Sequence, residues 1–127
     1  MSFSNYLEAA ILDHIFDEAS FTAPTWYVAL FVGDPGEAGA GGTEVSGNNY
    51  ARTALGATTR TVSSVVNDAS VEFPEASGSW GTISHIALFD ADSGGNFLGS
   101  VAVDSALAVG DGDTARFAAG TLEFTLD

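Results

Sequence analysis

The sequence predicts a mainly β protein: an antiparallel β-sandwich of the jelly-roll or immunoglobulin-like kind, preceded by one N-terminal amphipathic helix. Three observations carry this expectation. Residues 80–96 read WGTISHIALFDADSGGN, an apolar run followed by a tight turn, and a second apolar run over 97–103 follows directly. Turn signals then recur along the chain at roughly eight to twelve residues, the spacing of short antiparallel strands. Apolar residues at helical spacing occur near the start of the chain and are not seen again.

Taken in order, residues 4–19, SNYLEAAILDHIFDEA, form the helix. Phe3, Leu7, Ala10, Ile11 and Ile15 recur at three- and four-residue intervals. Asn5 is placed to cap its N-terminus, with Glu8 as the return partner. Asp13, Asp17 and Glu18 lie on the polar face, and the last two stand unfavourably at the negative helix end. Pro24 then disfavours helix at Ala23. Residues 26–32, WYVALFV, are a buried strand, and residues 33–47 a Gly-rich surface loop. Strands follow at 49–54, at 58–66 with an exposed or edge character, and at 70–73. In the run 83–90 both alternating faces are largely apolar, so the strand is buried on two sides. A partner strand over 97–103 comes after the turn, and strands at 114–118 and 122–126 close the chain. The whole is one domain over 1–127, with a helix at 3–19, a sandwich at 25–127 and the loop at 33–47.

Composition narrows the function. At 127 residues, 46% of them hydrophobic, the chain can bury a core of its own. It has no cysteine, hence no disulfide framework. There is no long apolar run to span a membrane and no basic n-region of a signal peptide. Seventeen acidic residues face only Arg52, Arg60 and Arg116, for a net charge of −14. Such a surface repels nucleic acid and anionic membranes. It fits a high-salt setting, where screening relieves self-repulsion.

Candidates for chemistry are few. His14 and His85 lack partners at metal-ligand spacing. No nucleophile motif is present, and GAGG at 39–42 lacks the lysine of a phosphate loop. Asp90, Asp92 and Asn96 alternate in the turn as calcium ligands do, though no bidentate glutamate follows and a plain hairpin turn explains them equally. Trp26, Tyr50 and Trp80 are the aromatic residues that could form a sugar-stacking face. No catalytic residue, cofactor or firm metal ligand is expected.

Six segments in order, SFSNYLEAAILDHIF, APTWYVALFVGDPGEAG, TEVSGNNYAR, VEFPEA, WGTISHIALFDADSGGN and RFAAGTLEFTLD, resemble a small family of tailed-virus tail or tail-fibre proteins. Residues 55–68 and the acidity depart from that pattern. The resemblance implies a virion structural role without catalysis, in the tail or fibre or as capsid decoration, assembled in the host cytoplasm and released on lysis. The acidity points further to a host from salty water. Such a module would be a homo-oligomer in contact with other virion proteins and would bind neither nucleic acid nor membrane. The expected assembly contacts are Phe3, Leu7, Ile11 and Ile15 on the helix, the Gly-rich loop, and Tyr50 and Arg52 after it. The competing expectation is an extracellular sandwich that binds carbohydrate or calcium, with Trp80 and Tyr50 exposed.

Overall fold

A computed structural model of the chain describes residues 2–125. Its elements are β1 (Ser2–Phe3), α1 (Asn5–Ile15), β2 (Tyr27–Val32), β3 (Thr43–Glu44), β4 (Thr53–Ala54), β5 (Thr58–Arg60), β6 (Ser64–Asn67), β7 (Val71–Glu72), β8 (Gly81–Phe89), β9 (Phe97–Val109), β10 (Arg116–Phe117) and β11 (Glu123–Thr125). Every strand pair is antiparallel. The protein is a mainly β fold with a sandwich-like arrangement of open sheets and one short N-terminal helix.

One layer is the sheet β1-β9-β8-β2-β3, with β4 also on β2. Two small sheets, β10-β7 and β11-β6-β5, complete the sandwich-like arrangement. The core lies between the layers. Val28, Leu30, Ile83, Ile86, Leu88 and Leu98 come from the large sheet, and Val71, Phe73, Ala115 and Leu122 from the opposite side. The two-sided burial expected of β8 is present. Ala29, Phe31 and Ala87 form a second cluster on the other face, flanked by Phe89 and Phe97. The Gly-rich loop reaches this face at Gly39, where φ is +69° and a Cβ would lie 2.7 Å from the Phe97 ring. Only glycine lets the loop lie down there.

A register shift between Ile83 and His85 breaks strict alternation in β8. Ile83 pairs with Leu107 and His85 with Ala102, so β9 carries the extra residues. Ile83 and Ile86, an odd number of residues apart, both enter the main core. Beyond this shift β9 runs on to Val109, opposite Gly81, well past the expected end at 103.

Several local expectations are corrected. The N-cap is Ser4, not Asn5: Ser4 is extended (φ −76°, ψ 159°) and its Oγ accepts from the Leu7 N–H at 3.1 Å. Ser4 is also tied by its hydroxyl to the Phe97 carbonyl at 2.6 Å and by its N–H to Leu98 O at 2.9 Å. Phe3 belongs to β1, opposite Gly99, rather than to the helix. The helix ends at Ile15 instead of 19, because Asp17 turns left-handed at φ +62° and the Glu18 and Ala19 N–H groups return to Asp13 O. Residues 58–66 are not one strand but a hairpin of β5 and β6. Residues 49–54 form strand only at β4.

Candidate assembly surfaces

Helix α1 presents apolar residues to both sides. Leu7 is 3% exposed and packs in the main core, with Phe3 and Ile11 half-buried against it. Leu7 is therefore part of the chain's own interior, and the expected contact set Phe3, Leu7 and Ile11 is largely the face the protein uses for itself. Ile15 points the other way at 65% exposure. Leu12 (56%) and Phe16 (70%), which the sequence reading did not select, join it. These three stand at positions i, i+3 and i+4, one continuous strip near the end of the helix. Asp13, Asp17 and Glu18 are exposed in the same turn and the one after it. The signal was legible in principle: the helix has more apolar residues than one buried face can absorb.

Beside the start of the helix the two layers do not close. A groove of about 440 Å³ opens between the large sheet and the β5–β6 hairpin. Its walls include Trp26, Leu55, Leu88, Leu98, Val65 and Phe124. Arg60, Val62 and Ser63 stand on the hairpin side, all exposed. No sequence signal indicated this groove, since it depends on how far the small sheet stands off the large one.

Tyr50 and Arg52 are neighbours in space as expected, but their partners are internal. Strand β2 pairs with β4 through Tyr27 and Val28, and with β3 through Phe31 and Val32. Between these stretches the Leu30 N–H meets no strand, and the Tyr50 hydroxyl accepts from it at 3.0 Å. The same hydroxyl donates to Glu44 Oε1 at 3.0 Å. Burial, together with the Glu44 carboxylate, pushes the Tyr50 phenol well above its ordinary range. Arg52 meets Glu44 in a fork, Nε to Oε1 at 2.8 Å and Nη2 to Oε2 at 2.9 Å. Its Nη1 donates to the Ala91 and Gly94 carbonyls at 2.9 and 2.7 Å. The guanidinium lies 3.6 Å from the Phe89 ring centroid. Hydrogen bonding to Glu44 raises the Arg52 pKa further. Arg52, expected among the assembly contacts, is thus the centre of an internal clamp joining β3, β8 and the 90–96 turn.

That clamp also defines the turn considered for calcium. The Asp90 carboxylate accepts from the Asn96 N–H at 2.6 Å and from Asn96 Nδ2 at 2.8 Å, closing the hairpin on itself. Asp92 is exposed. Two carbonyls of the turn are directed at the Arg52 guanidinium. Among the described residues no three acidic, His or Cys side chains converge as a metal cage.

The expected exposed Trp80–Tyr50 face is not formed. Trp80 is 5% exposed, donates Nε1–H to Asn48 O at 2.9 Å and meets Tyr50 edge-on at 5.3 Å. Tyr50 is in turn stacked on Phe73. The His14 ring accepts from the Phe21 N–H. His85 Nδ1 is within 2.9 Å of Ser84 Oγ. Asn67, unremarked in the sequence, is 1% exposed and fully used: Nδ2 donates to the Ala69 and Ala118 carbonyls, and Oδ1 accepts from the Leu122 N–H. It holds the connection between β10 and β11 against β6.

Among the described residues the sandwich carries an apolar ridge at the end of α1 and an apolar groove beside the β5–β6 hairpin. No curated protein matches the chain. A family model described as podophage GP4 fiber I protein gp80 matches residues 2–125. The chain belongs to that podophage fibre family.

Proposed function

We propose that this protein is a structural component of a tailed-virus particle, in the tail or fibre, that works by assembly and not by catalysis. The observation that carries this reading is the family match over residues 2–125. The exposed apolar ridge of α1 supports it, because side chains as large as Leu12, Ile15 and Phe16 left in water on one strip are typical of a surface that is covered in use. The chain then associates with copies of itself and with other virion proteins, is assembled in the infected host and leaves on lysis.

The charge of −14 adds a condition. Bringing copies together concentrates negative charge, so association strengthens as salt screens the repulsion. Sedimentation velocity from low to multimolar salt tests this. A discrete oligomer that forms or sharpens with salt is the expected result. A folded monomer at every salt concentration refutes self-association and leaves only docking onto other virion proteins.

A further inference from the structure

We infer that copies of this chain join head to tail, the Leu12–Ile15–Phe16 ridge of one copy seated in the apolar groove beneath the β5–β6 hairpin of the next. The inference rests on the self-assembly reading and names its surfaces.

Shape comes first. The ridge is convex, three large side chains at 56, 65 and 70% exposure on one strip of helix. The groove is concave, about 440 Å³, and walled by Trp26, Leu55, Leu88 and Phe124. Its volume lies within the range of sites that take a compact apolar ligand. Each is an apolar surface without a cover in the single chain, and each has the form the other lacks.

Charge then decides which surface meets which. Arg52 is engaged with Glu44 at 2.8 Å, and Arg116 lies 3.8 Å from Glu72. Arg60, at the groove mouth, has no carboxylate within ion-pair distance among the described residues. The ridge carries the opposite sign: Asp13, Asp17 and Glu18 surround it, and the helix ends there with its carbonyls outward. A ridge-to-ridge dimer would press two acidic helix ends together. A ridge-to-groove contact brings the acidic end to Arg60 at the groove mouth. A separate basic partner would suit the ridge, but it would leave the groove and Arg60 unmatched. The contact is therefore heterologous, which closes into a ring or continues as a filament.

Complementary variants of the full chain test it by sedimentation velocity, at a salt concentration where the wild type is associated. Phe16→Asp spoils the ridge. Arg60→Glu with Ser63→Trp spoils the groove mouth. All three positions are exposed, and unchanged denaturation midpoints certify the fold. Each variant alone is expected to associate at least tenfold more weakly. An equimolar mixture is expected to recover a dimer and no larger species, since one copy keeps an intact ridge and the other an intact groove. If the groove variant assembles like the wild type, or the mixture stays monomeric, the head-to-tail contact is refuted while assembly itself stands. A wild type that is monomeric at every salt concentration overturns both readings.

Discussion

Replacing Arg52 by alanine is expected to destabilise the monomer by about 2–4 kcal/mol. The guanidinium side chain is 7% exposed and that of Glu44 25%. Two charges about 4 Å apart attract by about 4 kcal/mol at an effective dielectric near 20. Desolvation of the pair offsets part of that attraction in the intact protein. Removing only the cation forfeits the attraction yet leaves the Glu44 carboxylate desolvated, and for a fully buried pair such a loss runs to about 3–5 kcal/mol. Water reaching the partly exposed carboxylate lowers the figure. The lost stacking on Phe89 adds roughly 0.5–2 kcal/mol, and the Ala91 and Gly94 carbonyls lose their donor. Urea denaturation of wild type, Arg52→Ala, Glu44→Ala and the double variant measures the effect. The double variant should be less destabilised than the sum of the singles, because no uncompensated charge remains. Arg52→Lys should recover little, as an ammonium cannot make the fork or stack flat. A loss under about 0.5 kcal/mol in Arg52→Ala, the level of an exposed pair, would refute the clamp.

Tyr50→Phe keeps the ring packing but strands the Leu30 N–H, so a loss of about 1–3 kcal/mol in denaturation is expected. The raised pKa of Tyr50 adds a pH signature. The folded state holds the proton after the unfolded state has released it, so stability is full below pH ~10 and falls as pH rises above it. In Tyr50→Phe that alkaline decline should be shallower when midpoints are measured across the range. Leu7→Asp is expected to unfold the protein by circular dichroism, not merely to dissociate it, since Leu7 is 3% exposed in the core. Gly39→Ala should lower stability by roughly 1–3 kcal/mol, through a positive φ and contact with Phe97; a thermal midpoint equal to wild type would contradict the close approach of the loop.

The mainly β class and the two-sided burial of β8 were legible because hydrophobic periodicity and turn residues are local signals. What was missed depended on distant partners. Ser4 and Asn5 are both good capping residues, and a carbonyl 93 residues away on Phe97 settles the choice. Arg52 stood out for its rarity, yet its partners Glu44, Ala91 and Gly94 are gathered only by folding. Tyr50 resembled a surface aromatic in the sequence; the gap in the β2 edge that its hydroxyl fills is a property of the sheet. The ridge followed a different failure. Leu12 and Phe16 have the right spacing, but periodicity finds apolar faces without saying which one the fold covers.

The tie between Ser4 and residues 97 and 98 also sets a timetable. An isolated helix of 11 residues is marginal in water and owes its stability to packing. The carbonyl that receives the Ser4 hydroxyl, and the strand that pairs with β1, are synthesised last among the elements that hold the helix. At ordinary translation speed that delay is on the order of ten seconds. Until then the first segment of the chain has no place to dock. Its apolar residues are held in register only once the long β8–β9 hairpin exists, so a chain that stops short of β9 has nothing to set its helix against.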